Sequence, residues 1–203
     1  MWSGNAGASM NKSIKRFRSR NVFILGMIIL SVVCLLASTA CNLTGSGTTA
    51  GSSVPDYKIP TIDGGNIQLS QYRGKVVVLD FWAPWCGPCQ AETPHLIKIA
   101  SDYKDKDVVV IGLSIPDPRT RDGQVEQFVK KFGINYTVGF APDGMFEKFD
   151  CSPPTEPGAI PQTFVFGRDG RKIYENYGFN PMQDGESLAR KVEQAASVRN
   201  TKY

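Results

Sequence analysis

Histidine occurs once in these 203 residues, at position 95. A metal centre built on imidazoles therefore has no ligand set, and c-type haem attachment at the Cys86–Cys89 pair is disfavoured because Gln90, not His, follows the second cysteine. Acidic residues are absent before Asp56, whereas five of the 23 basic residues (Lys12, Lys15, Arg16, Arg18 and Arg20) lie there. Residues 42–203 then carry 18 positive and 19 negative charges. The formal net charge of +4 thus belongs to the N-terminal segment. The main body has no basic footprint for nucleic acid. No internal repeat is present, which argues against a solenoid or propeller.

What the N-terminus does have is an ordered series: "NKSIKRFRSR", then the uncharged "NVFILGMIILSVVCLLASTA", then Cys41. Positive charge, an apolar run and small residues in that order form an export signal. The run is also long enough to span a bilayer if left uncut. "LLASTAC" resembles a bacterial lipoprotein signal, which implies lipidation of Cys41, although Ser38 stands where Leu is usual. Ser38 and Ala40 also suit an ordinary signal peptidase, so an uncut anchor and full secretion stay open. Cys34 reads as a small hydrophobe within the run. "NLTGSGTTAGSS" is a flexible Gly/Ser/Thr tether with a random-coil span of about 20 Å. The expected organisation is a signal or anchor over residues 1–41, a linker over 42–54 and one domain over 55–203.

Within that domain, "DYKIPTIDGGNIQLS" predicts two short strands around a Gly-Gly turn. "KVVVLDFWA" and "DVVVIGLSI" are β-branched apolar runs of the kind buried on both faces. "PCQAETPHLIKIASDYK" has helical spacing interrupted by Pro94, where a kink is expected. "GQVEQFVKKFG" predicts a short helix closed by Gly133. "QTFVFGRDGRKIYENYGF" predicts a hairpin, and "ESLARKVEQAASV" a last helix. Strand–helix–strand order followed by a hairpin and a helix gives an α/β sandwich.

"VVVLDFWAPWCGPC", "CQAETP" and the later "AIPQTFVFGRDG" resemble the thioredoxin superfamily, and within it the membrane-anchored, AhpC/TSA-related TlpA/ResA-like branch. The resemblance spans residues 55 to about 197. It implies a central mixed sheet flanked by helices, with an N-terminal hairpin and an insertion before a cis Pro161. It also implies a redox-active Cys86–Cys89 disulfide. Two departures stand out. Asp80 occupies a position where the branch usually has Asn, and the insertion "DGMFEKFDCSPPTEPGA" is Pro-rich and carries Cys151.

The helix-start position expected for Cys86 favours its thiolate, the attacking species. Cys89, one turn on, then resolves the mixed disulfide. Glu92 shares the helix face of Cys89 and, with Asp80 at the end of an apolar strand, is a candidate proton carrier. A solvated helix residue is the competing reading of Glu92, and a structural hydrogen bonder that of Asp80. Trp85, Gly87, Pro88 and the Ile160–Pro161 pair are expected to meet the partner, the backbone of Ile160 pairing with an extended chain. Trp82 reads as core packing. His95, expected nearly opposite Cys86 on the helix, reads as exposed or packing, and Cys151 as a free thiol or an auxiliary redox thiol. No metal and no cofactor beyond the disulfide itself is expected.

These residues predict a thiol–disulfide oxidoreductase outside the cytoplasm, working as a protein-disulfide reductase. The resemblance implies cytochrome c maturation as a task and a membrane electron donor as a partner, beside protein dithiol or disulfide substrates. Two alternatives share the fold. A copper-binding assembly factor needs a distant His beside the cysteines. A peroxiredoxin-like peroxidase wants a hydroxyl residue at the position of Ala83.

Overall fold

The computed structural model describes residues 56–198. The signal segment, the tether, Cys34 and the lipidation candidate Cys41 lie outside the described residues. Seven strands and four α-helices follow in order: β1 (Lys58–Pro60), β2 (Asn66–Gln68), β3 (Val76–Trp82), α1 (Gly87–Asp102), β4 (Val108–Ser114), α2 (Gln124–Phe132), β5 (Thr137–Phe140), α3 (Met145–Phe149), β6 (Gln162–Phe166), β7 (Lys172–Tyr177) and α4 (Asp184–Ser197). The main sheet runs β5–β4–β3–β6–β7. β4 lies parallel to β3 and β5, while β6 is antiparallel to β3 and β7. This is the mixed sheet flanked by helices that the sequence predicts.

β3 is central, and all seven of its residues are buried. Its alternating side chains feed two cores. Val77, Leu79 and Phe81 join a cluster with Val125 and Phe128 of α2 and Met145 and Phe146 of α3. Val76 and Val78 join Leu96 and Ile99 of α1 and Leu188 and Val192 of α4. Each such aliphatic side chain contributes roughly 1.5–3 kcal/mol on burial. By the same alternation Asp80 falls on the α1/α4 face, opposite Thr163 of β6 and Gly112 of β4. A charge-capable residue is thereby carried into an apolar layer.

α1 runs through Pro94 without a break. The one amide that Pro94 lacks is tolerated there. Gly133 closes α2 in the left-handed region, as expected. Strand β5 and helix α3 are additions that the sequence reading did not foresee, as is a single 3-10 turn over Leu69–Tyr72.

The β1–β2 hairpin reaches the sheet only at its edge. Thr61 bridges Gly139 of β5, and the Ile62 amide donates to the Val138 carbonyl at 3.1 Å. Gly139 permits this approach, since a Cβ there would stand 2.6 Å from the Pro60 carbonyl oxygen and 3.1 Å from Ile59 Cγ2. Gly139→Ala is expected to destabilise the protein by about 1–3 kcal/mol through overpacking. A denaturant midpoint equal to that of the parent would contradict the close docking.

Candidate functional site

The chain leaves β3 at Trp82 and enters α1 at Gly87, so four residues turn it from the sheet into the helix. The Cys86 amide donates to the Ala83 carbonyl at 3.1 Å, and the Cys86 carbonyl accepts from Gln90 at 3.1 Å. Cys86 itself caps the helix, with extended backbone, and its Sγ accepts from the Cys89 amide at 3.2 Å. Pro88 lies in the first turn, where its missing N–H costs nothing. A sulfur at this cap faces the positive end of the helix, which favours negative charge on it.

Cys86 and Cys89 are joined by a disulfide with an S–S distance of 2.05 Å. Their exposures, 4% and 2%, differ too little to rank them as attacker and resolver. Only the cap position separates them. Gly87 and Pro88, between the two, are exposed.

The Ile160–Pro161 peptide bond is cis, and the Ile160 carbonyl oxygen lies 3.6 Å from Cys86 Sγ. The buried Gln162 secures this segment. Its Nε2 donates to the Ala159 carbonyl at 2.9 Å and to Asp150 Oδ1 at 2.6 Å, and its Oε1 accepts from the Cys151 amide at 2.9 Å. Gln162 is not among the residues the sequence predicts for the site, although a polar residue opening an apolar strand is a usable signal.

Beneath α1 lie two carboxyl groups. Asp80 and Glu92 are 3% and 2% exposed, so Glu92 is no solvated helix residue. Thr163 Oγ1 donates to Glu92 Oε1 at 2.5 Å, while Asp80 Oδ1 and Glu92 Oε2 are buried without a protein partner among the described residues. Burial pushes the Asp80 carboxyl well above the usual carboxylate range, and Glu92 adds to the effect. Burial raises Glu92 to about 8, with the Thr163 hydrogen bond opposing and Asp184 reinforcing. The Tyr136 hydroxyl is raised too, by burial and then by both carboxyls. Gly112 makes room for this cluster, since a Cβ there would lie 3.0 Å from both Trp82 Nε1 and Tyr136 Cε2. Glu92 follows Cys89 by three residues, placing their Cβ atoms about 5–6 Å apart on one helix face. The arrangement can hold a proton one helical turn from Cys89.

Trp85 is half-buried beside Cys86, its Nε1 donating to Thr120 Oγ1 at 3.2 Å. Trp82 is core, packed on Phe128 with ring centroids 4.5 Å apart. His95 packs against Phe179 and over Gly185 at the start of α4. Cys151 is half-buried, and burial, then Glu175, pushes its thiol up to about 11, so it is a poor nucleophile near neutral pH. Among the described residues no cluster of His, Cys, Asp and Glu is disposed to hold a metal ion.

A model of the AhpC/TSA family matches residues 50–174. The thiol-disulfide oxidoreductase ResA of Bacillus subtilis (strain 168) is 28% identical over 160 residues, which cover 77% of this chain and 84% of the relative. The ResA of Bacillus thuringiensis subsp. konkukian is 30% identical over 142 residues, covering 70% and 78%. Among solved structures, a protein assigned as thiol:disulfide interchange protein DsbE from Chlorobium tepidum superposes with a TM-score of 0.62 at 29% identity. The match covers 71% of this chain and 96% of that one. A protein assigned as a disulfide isomerase from Bacteroides thetaiotaomicron gives 0.61 at 29% identity, covering 73% and 90%. With a Cys-Gly-Pro-Cys disulfide capping the helix that follows the central strand, the chain belongs to the AhpC/TSA family, as a ResA-like thiol-disulfide oxidoreductase of the thioredoxin superfamily.

Proposed function

We propose that this oxidoreductase works outside the cytoplasm as a reductase of protein disulfides, with Cys86 attacking and Cys89 resolving. The observation that carries the assignment is the cap position of Cys86, with the Ile160 carbonyl 3.6 Å from its sulfur. The Cys86 thiolate attacks one sulfur of the partner's disulfide, forming a mixed disulfide and releasing the partner's other sulfur as a thiolate. Cys89 then attacks Cys86 Sγ, passing its proton to the minor, ionised form of the Asp80–Glu92 pair. The partner leaves as a dithiol, having gained two electrons, and the Cys86–Cys89 disulfide is restored. Gly87, Pro88, Trp85 and the Ile160 backbone frame the approach of an extended partner chain.

The location rests on the export pattern before residue 42 and on the Cys41 lipidation candidate. There, a membrane electron donor restores the dithiol, and apocytochrome c cysteines are a fitting substrate. A peroxidase is the weaker reading. At position 83 the chain supplies a methyl group and a carbonyl that accepts from Cys86, but no hydroxyl. The copper reading lacks its His, because His95 faces Phe179 and α4.

Cys89→Ser is expected to accumulate mixed disulfides with partner proteins through Cys86, visible on non-reducing gels and absent in Cys86→Ser. Equal trapping by both variants would contradict Cys86 as the attacking thiol. A redox titration of the purified protein is expected to place the pair near that of thioredoxin, about −270 mV. A value near about −120 mV, that of a strong oxidant, would overturn the reductase direction.

A further inference from the structure

The loop between β4 and α2 closes over Trp85 in a way that the disulfide chemistry alone does not require. The Arg119 guanidinium lies over the indole, its central carbon 3.4 Å from the ring centroid. Asp117 holds it there. Asp117 Oδ1 accepts from the Arg119 amide at 2.8 Å and from Nε at 2.9 Å, and Oδ2 accepts from Nη2 at 2.7 Å. The indole edge is fixed as well, through Trp85 Nε1 and Thr120 Oγ1. Trp85 is thus held at its edge and on one face. What lies over that face, one residue from Cys86, is a guanidinium and not an open aromatic surface.

Asp117 occupies only one edge of the fork. Of the five N–H donors a guanidinium carries, Nε and one on Nη2 are used. Three remain, including both on Nη1, and none has a protein acceptor among the described residues. The Arg119 side chain nevertheless stays 63% exposed, while that of Asp117 is only 14% exposed. The arrangement is a planar donor facing solvent, placed over the indole and held by a bidentate ion pair. A planar fork with a free edge matches a carboxylate in a way that a flexible ammonium does not.

We infer that Arg119 is a specificity-determining residue, whose free guanidinium edge binds a carboxylate side chain flanking the disulfide of an extended polypeptide held at Cys86. This rests on the reductase reading above and adds the class of substrate. The partner's backbone pairs at the Ile160 carbonyl, and its acidic residue reaches Arg119 over Trp85.

The test uses the purified, pre-reduced protein and two synthetic disulfide peptides of one length, with Glu or Lys beside the cysteine. Second-order rates of peptide reduction are measured at low salt for the parent and for Arg119→Ala. The parent is expected to favour the Glu peptide about tenfold, the scale of one charge-assisted hydrogen bond. Arg119→Ala is expected to bring the ratio close to one. A merely structural role would slow both peptides alike and leave the ratio standing. A parent ratio near one, or a ratio kept in Arg119→Ala, overturns the inference and leaves the reductase reading intact. Failure of the parent to reduce either peptide overturns that reading, and the inference with it.

Discussion

Two carboxyl groups share one apolar layer between the sheet and α1, and the site depends on how that layer tolerates them. Asp80 is carried inward by the alternation of a strand buried along its whole length. Glu92 is carried inward by the helix that begins where that strand ends. Both are buried, so the fold favours their neutral forms. For Glu92 the sign follows directly. Its folded value, about 8, lies above its ordinary 4.5. The native state therefore binds more protons than the unfolded chain between those values. This contribution to stability is complete below about pH 4.5 and fades as pH rises through 8. Asp80 shifts in the same direction and for the same reason. Two interacting buried acids titrate as a pair, and Glu92, raised to about 8, can take and return a proton.

The cysteines belong to the same construction. The tight exit from β3 fixes Cys86 at the cap, which supplies the thiolate preference, and α1 then places Glu92 one turn beyond Cys89. Thr163 links the layers, because it pairs with Asp80 across β3 and β6 and donates to Glu92. One residue earlier on β6, Gln162 ties the insertion to the cis-proline corner that brings the Ile160 carbonyl to Cys86. Adjacent positions of a single strand thus serve the proton store and the partner-binding edge, on opposite faces of the sheet.

The elements that carry this chemistry were legible from local pattern. β3 and β4 are long β-branched runs, β6 and β7 flank a turn signal, and α2 ends on a glycine. β5 and α3 were not legible, being four and five residues long and made by contacts with distant strands. At the site, the cysteine pair, Pro161 and Asp80 were readable from spacing and resemblance. The burial of Glu92 was not, since helical spacing fixes its angle to Cys89 but not the depth at which the helix packs. Arg119 gave no signal, as its meaning comes only from stacking on a residue 34 positions away. The polar Gln162 and Thr163 at the head of an apolar strand were a signal that went unused.

The central claim is that the fold keeps a carboxylic acid beside the cysteine pair protonated near neutral pH. Its most direct test is a carbon-13 NMR titration of the Glu92 side-chain carboxyl in the oxidised protein. The account predicts a midpoint near pH 8. A midpoint in the ordinary glutamate range, about 4.3, would contradict it.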